Sequence, residues 1–541
     1  MWSQSYQLFG LNLGLSALIA AVPIIALLVL LGVLRKPAWL AGLAGLAITF
    51  VLAIGGYGMP VKLAISSAAN GAAFGLFPIS WIVFWAIALF RITQETGKFE
   101  IIKDSVGRLT EDQRLQALLI AFGFGAFVEG AAGFGTPVAI AASMLAGLGF
   151  SPFRAAAICL LANTAPVAFG SIGIPVITLA GITNLPLDKL SAFVGRLCAP
   201  ISLIIPMYLV LAVGGPVALR GSLVPALAAG ISFAGTQFFI SNFIGPQLTD
   251  IGASLVAMAT LIVVSRVWKP SKNDAYRNTA TEAAVERHPS PYTPGQIAYA
   301  WSPYVLLVIC VLLWGYKPFQ AVLDQFTTSL EWPALHDLIL RMPPVTKAPS
   351  PYHAIYSIAW FSASGTSCMV ATILSAIVLR VSFVRFLRMI VDTGRQLFLP
   401  ILTVATVLAM AFLLNYCGAT STYGIAFAET GTLFPFFSAI LGWIGVFLTG
   451  SDTSANALFG NLQVVTANRL GLSPELMAAT NSVGGVMGKM ISLQTISIAA
   501  AATGMSTEDQ SKLFRFTLKH STLLACLVGI LAMLYAYVFH F

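Results

Sequence analysis

One glutamate and one aspartate, each set in a string of glycines and hydroxyls, interrupt apolar stretches in the two halves of this 541-residue chain. The first string reads Phe127-Val-Glu129-Gly-Ala-Ala-Gly133-Phe-Gly135-Thr136-Pro137, and the second reads Leu448-Thr-Gly-Ser451-Asp452-Thr-Ser454-Ala-Asn456. A Ser-Pro pair follows each acid after about 22 residues, as Ser151-Pro152 and Ser473-Pro474. Next comes an amide beside a hydroxyl, Asn163-Thr164 in one half and Asn481-Ser482 in the other. Such recurrence marks an internal repeat. A carboxylate in hydrocarbon surroundings is costly and marks a functional site by default. The chemistry it offers is proton exchange, because desolvation disfavours the charged form and lets a carboxyl take up a proton near neutral pH. Two acids at matched positions fit a secondary transporter with one site between two repeats.

A third candidate is a cation. In Asn481-Ser-Val-Gly-Gly485-Val-Met-Gly488-Lys489-Met-Ile-Ser492-Leu-Gln494-Thr495, the glycines are expected to unwind the chain and present Lys489 to an anion. The bland alternative is a lysine snorkelling from a helix end, but Asn481, Ser492 and Gln494 beside it favour a functional role. Asn163, Thr164, Asn481 and Ser482 are expected to contact substrate or ion, against the alternative of plain interhelical hydrogen bonding. Gly133, Gly135, Thr136, Ser454 and Asn456 are expected at the non-helical tips, where exposed N–H groups and a helix dipole favour an anion. Of the acids, Asp452 is the favoured proton carrier, since Thr453, Ser454 and Asn456 can bond either protonation state. Glu129, among Gly and Ala, reads as a structural or gating acid. The glycines of the first string also resemble a phosphate-cradling loop, but no strand precedes them.

No cofactor or metal site is expected. The six cysteines are scattered singly without CxxC spacing and read as small core hydrophobes. The five histidines fall in loops or at span edges, with no HExxH spacing and no cluster.

The elements that must position these residues are membrane helices. Hydrophobic residues make up 58% of the chain and charged ones 9%, with mean hydropathy +0.87, which is far outside the soluble range. The fold class read from this is an all-α integral membrane protein of about 12 to 14 segments, with inverted repeats and re-entrant hairpins or broken helices. Residues 1–267 form an N-terminal membrane repeat with its cassette around 115–137. Residues 268–296 form a cytoplasmic linker, and residues 297–541 a C-terminal repeat with its cassette around 436–461. The formal charge of +9 suggests no nucleic-acid partner, because the basic residues sit in short loops as the positive-inside rule requires. The loops ending at Arg114 and Arg395 read as cytoplasmic, which puts the N-terminus outside. His353 to Arg380 is expected to be a span, followed by that basic loop and a further span from Leu397 to Tyr416. The extra crossing makes the two cassettes approach from opposite sides. Each approach is about a dozen residues, roughly 18 Å of helix, so both acids are expected near the midplane.

The strings Glu129-Gly-Ala-Ala-Gly-Phe-Gly-Thr-Pro, Leu161-Ala-Asn-Thr-Ala-Pro-Val-Ala-Phe-Gly170-Ser-Ile-Gly173-Ile-Pro and Asn481-Ser-Val-Gly-Gly-Val-Met-Gly-Lys-Met-Ile-Ser resemble the bacterial lactate permease family. The likeness extends over essentially the whole chain. It implies proton-linked uptake of L-lactate, D-lactate or glycolate across the bacterial inner membrane. It also implies kinship with an ion-transporter superfamily whose members use two opposed hairpins and often an elevator motion, and which suggests a homodimer. A sodium-coupled carrier using Asn163, Thr164, Asn481 and Ser482 as an oxygen cage is the alternative. A membrane enzyme is a weaker one, because no catalytic constellation is visible.

Overall fold

The computed structural model describes residues 1–34, 36–110, 112–133, 136–268 and 291–539. Among them, twelve helices are long and apolar enough to cross a membrane, or thirteen if one bent pair counts as a span. The protein is therefore an all-α polytopic membrane protein. Its first half opens with α1 (Leu13–Val33), α2 (Ala38–Gly56), α3 (Val61–Phe74), α4 (Trp81–Glu95) and the short α5 (Lys98–Gly107). Next come α6 (Gln113–Ala131) and α7 (Thr136–Gly147), which form a hairpin. The pair α8 (Pro152–Ala162) and α9 (Gly170–Thr183) is bent by 65° at the intervening break. The spans α10 (Leu187–Ala212), α11 (Gly214–Phe243) and α12 (Thr249–Val267) complete the half.

The second half begins with α13 (Pro294–Gly315), started by a Thr293/Gln296 capping box, and α14 (Lys317–Asp324). The linker residues 269–290 lie outside the described residues. A small polar cap follows. In it, β1 (Trp2–Ser3), β3 (Ile339–Arg341) and β4 (Ser350–Pro351) form one sheet, and β2 (Thr328–Glu331) pairs antiparallel with β5 (Ile355–Ile358). After the cap come α15 (Ser364–Val378), α16 (Phe383–Cys417) and α17 (Ala419–Phe427). The second hairpin is α18 (Phe434–Thr449) and α19 (Asp452–Leu470). The second broken helix is α20 (Pro474–Lys489) with α21 (Leu493–Thr503), and α22 (Thr507–Tyr537) closes the chain.

Three segments differ from the sequence expectation. His353 to Arg380 is not a span, because strand β5 occupies its first part and leaves only the 15-residue α15. Arg385, Arg388 and Arg395 are not in a loop but in the first turns of α16, which runs unbroken for 35 residues. The glycines of the Lys489 string do not unwind the chain either, since α20 stays helical through Gly484, Gly485 and Gly488. They are a packing seam. A Cβ on Gly484 would lie 2.2 Å from the Ala439 carbonyl oxygen, and one on Gly488 2.4 Å from that of Trp443. Small residues allow such close helix approach, and the break comes afterwards, at Met490–Ser492.

Cross-contacts define two faces. At one, the N-terminal strand pairs with Ile339 and Leu340, and Gln4 Nε2 donates to the carbonyls of Asn415 (3.0 Å) and Tyr416 (2.9 Å). At the other, Arg91 Nη2 donates to Gln396 (2.7 Å), Arg385 donates to the Glu95 carbonyl, and Lys98 stacks 4.8 Å over Tyr299. The first hairpin leaves from the face of α5, and the second leaves from the neighbourhood of α17, which follows the cap-side end of α16.

Candidate functional site

Serine–proline caps start both broken helices. Ser151 and Ser473 each accept the backbone N–H three residues on, and proline fills the first helical position, where its missing donor costs nothing. The breaks themselves are built differently. In the first half, Ser171, Ile172 and Gly173 take positive φ in succession (48°, 61° and 76°). Left-handed non-glycine residues are strained and cluster at functional sites. Gly133 (φ 59°) at the first hairpin tip lies directly against this turn, and a Cβ there would sit 1.9 Å from Ser171 Oγ. That hydroxyl donates to the Ala132 carbonyl at 3.0 Å. In the second half, Gly450 (φ 72°) and Ser451 make the tip, and Ser492 caps α21 by accepting from the Thr495 N–H.

A cavity lies where the two tips meet the two breaks. Glu129, Ser171, Asp452, Lys489, Gln494 and Thr495 supply most of its polar lining. Lys489 Nζ stands 3.1 Å from Glu129 Oε1, joining the second broken helix to the first hairpin. The pair is buried, with side-chain exposures of 12% and 3%. Glu129 Oε2 has no hydrogen-bond partner.

Asp452 accepts from Ser482 Oγ at 2.7 Å and from Asn456 Nδ2 at 3.4 Å, both on Oδ2, while Oδ1 has no partner. Asn456 is a hub. Its Nδ2 lies 3.0 Å from Ser482 Oγ and 3.2 Å from the Pro175 carbonyl of the first half, and its Oδ1 accepts from Asn481 Nδ2 at 3.0 Å. Asn481 Oδ1 in turn accepts from Gln463 at 3.1 Å.

The family model described as L-lactate permease matches residues 16–539. At 43% identity the chain is similar to the glycolate permease GlcA of Escherichia coli K12, over 99% of this chain and 98% of that protein. At 44% it is similar to the L-lactate permease of Bacillus subtilis 168, over 99% of each. The chain belongs to the L-lactate permease family. Its relatives are permeases, not enzymes.

In this family member the predicted residues divide into four groups. Lys489, Glu129, Asp452 and Gln494 line the cavity together. Asn163 and Thr164 do not; with Lys489 and Thr495 they line a small adjoining void, where Asn163 Nδ2 is unpartnered. Asn456, Asn481 and Ser482 form the buried network behind Asp452, Ser492 is a helix cap bonded to Thr495, and Ser454 is held by the Ser451 cap. Gly133 is at the tip and Thr136 starts α7, while Gly135 lies outside the described residues.

The acids are not at matched positions, because Glu129 precedes its tip and Asp452 follows its own. The cavity residues not singled out from the sequence include Ser171, Gly450, Ser451 and Thr495. The Gly-Ser-Ile-Gly string around Ser171 was the available signal, because glycine either side of a hydroxyl suits a break.

Two features at the cap were also missed. His336 and His353 converge on Asp337 (3.3 and 2.6 Å), so the histidines do cluster. Sequence spacing hid this because the β2–β5 pairing brings the two segments together. A second cavity lies under the cap, lined by Arg341, Tyr352, His353, Asn415 and Tyr416 among others. The Arg341 guanidinium stacks 4.9 Å over Tyr352.

Proposed function

We propose that this protein imports short 2-hydroxymonocarboxylates, namely L-lactate, D-lactate or glycolate, across the bacterial inner membrane by proton symport. The observation that carries this reading is the Lys489–Glu129 pair in a cavity between the two halves. Lys489 is the only cation among the described residues lining it, and it faces two acids. A substrate carboxylate needs that cation, so binding must take Lys489 from Glu129. Glu129 is then a buried anion without a countercharge, which is untenable unless it takes a proton. Anion and proton therefore arrive together, and the charge of the moving part is unchanged by loading, which lowers the cost of crossing apolar surroundings. The ion pair shifts the weight of proton coupling from Asp452 towards Glu129. Asp452, held by Ser482 and Asn456, sets the second wall of the site.

The substrate hydroxyl has Gln494, Ser171 and Thr495 as partners in the same cavity. Arg341 places positive charge in the cavity under the cap, which attracts anions toward the site. The face carrying Arg91, Lys98, Arg385 and Arg388 is the cytoplasmic one by the positive-inside rule, so the cap and N-terminus face outward. The two halves then act as inverted repeats around the cavity.

The decisive experiment is uptake of labelled L-lactate into proteoliposomes, with pH and sodium gradients imposed separately. Accumulation driven by an inward proton gradient alone is expected. Accumulation that needs sodium, and ignores pH, overturns the coupling.

A further inference from the structure

One buried carboxyl has no part in the scheme above. Asp250 is 1% exposed, lies in the first turn of α12, and neither of its carboxylate oxygens has a hydrogen-bond partner. It packs against the first hairpin just beyond Glu129. A Cβ on Gly130 would lie 2.8 Å from that of Asp250 and 3.1 Å from the Ile251 backbone nitrogen, so only glycine lets α12 come this close. Glu129 on α6 and Lys489 on α20 are charges that act on Asp250, and Asp250 in turn acts on the Cys198 thiol of α10. Asp452 also acts on Cys198.

An ionised carboxylate buried with no donor is strongly disfavoured, and such a group neutralises instead. In the resting state Lys489 is committed to Glu129 at 3.1 Å, so the neutral acid is the stable form of Asp250. Two things make its anion reachable: it sits at the N-terminus of a 19-residue helix, where the dipole favours negative charge, and Lys489 lies within electrostatic range.

We propose that Asp250 is the proton-binding site that serves Glu129, a relay behind the hairpin tip. This rests on the symport reading. The step is a single proton transfer. The O–H bond of Asp250 breaks, one forms on Glu129 at its unpartnered Oε2, and the negative charge moves to the α12 N-terminus. Neutral Glu129 then releases Lys489 to the substrate carboxylate, and the symported proton restores Asp250. Asp250 acts through Glu129 and touches no substrate.

The test compares wild type, Asp250→Asn and Asp250→Glu in proteoliposomes loaded with a pH-sensitive dye. Two rates are read for each: proton influx during net L-lactate uptake, and lactate–lactate exchange, which needs no net proton movement. The ratio of coupled uptake to exchange is expected to fall at least about tenfold in Asp250→Asn and to recover in Asp250→Glu, whereas a purely structural residue would lower both rates together. A wild-type ratio in Asp250→Asn, with wild type itself proton-coupled, overturns the relay alone. Wild type that moves lactate without protons overturns the symport reading instead. Should Asp250→Asn fail to fold, dicyclohexylcarbodiimide, which attacks protonated carboxyls in apolar sites, decides on wild type. Mass-spectrometric labelling of Asp250 supports the relay, and an unlabelled Asp250 overturns it.

Discussion

The two hairpins hold their acids in opposite ways. Glu129 sits on the arm before its tip and is paired from the other half, by Lys489. Asp452 sits just after its tip and is bonded within its own half, by Ser482 and Asn456. A contact across halves breaks and re-forms when the halves move or a ligand competes for it, whereas a contact inside one half travels with that half. The first hairpin therefore has the properties of a switch and the second those of a wall. The partner sets of the two acids, more than their shared residue class, separate their roles.

The largest expected effect comes from the switch's cation. Lys489→Gln should weaken lactate binding by at least about a hundredfold, read by isothermal titration or binding-induced thermal shift, because the anion loses the one cation that the described residues bring to the cavity. It should also destabilise the fold, since removing one partner of a buried ion pair costs about 3–5 kcal/mol. The double variant Glu129→Gln/Lys489→Gln separates the two losses. It should regain thermal stability without regaining binding, and a double variant that binds lactate would remove Lys489 from the site.

The next effect sharpens the comparison itself. Glu129→Gln mimics the protonated acid and frees Lys489 permanently. Lactate affinity in wild type should rise as pH falls, because protonation of Glu129 releases the lysine. In Glu129→Gln it should be high at every pH, about tenfold above wild type at alkaline pH, and pH-driven accumulation should be lost. Asp452→Asn should keep the pH dependence, with a smaller loss of affinity. The opposite pattern, with affinity pH-independent in Asp452→Asn and unaltered in Glu129→Gln, would make the second hairpin the switch.

Most of the architecture was legible because membrane helices announce themselves by hydropathy, and Ser-Pro caps mark broken-helix starts in both halves. Lys489, Glu129, Asp452 and Gln494 stand out in the sequence because polar groups in apolar stretches are costly, and the fold brings these four to one cavity. What could not be read was pairing. Glu129 has only Phe, Val, Gly and Ala beside it in sequence, none of which can pair with it, and its partner lies 360 positions away. Asp250 hid for a related reason. An acid at a helix start is ordinarily a capping residue, and only its orphaned oxygens and the Gly130 contact set it apart. His353 to Arg380 misled because its apolar stretch is shared between a strand and a helix, and hydropathy alone does not separate the two.

A smaller effect tests the wall. Asn456→Ala removes the donor shared among Pro175, Ser482 and Asp452 and strands Asn481 Nδ2. A buried polar group left unsatisfied costs about 1–3 kcal/mol. The thermal unfolding midpoint should drop by several degrees, while the pH dependence of binding persists, because the Lys489–Glu129 pair is untouched. An unchanged midpoint would mean that this network does not hold the second hairpin.

The smallest perturbation asks from which side each hairpin enters. Glu100 and Glu429 are exposed, the first on α5 before the first hairpin and the second in the turn before α18. Neither touches the cavity, so a cysteine at each, in a background lacking the six natural ones, should leave lactate uptake within about twofold of that background. Natural cysteines are no guide here, since five of the six are buried. A membrane-impermeant maleimide added to intact cells should label Glu429→Cys, and Glu100→Cys should react only after the membrane is opened. The expectation follows from the basic residues gathered on the Glu100 face and from the N-terminal strand tied to the cap on the other. If both cysteines label from one side, the hairpins enter together. The comparison of switch and wall would then lose its geometric basis, because the cavity would no longer lie between opposed tips.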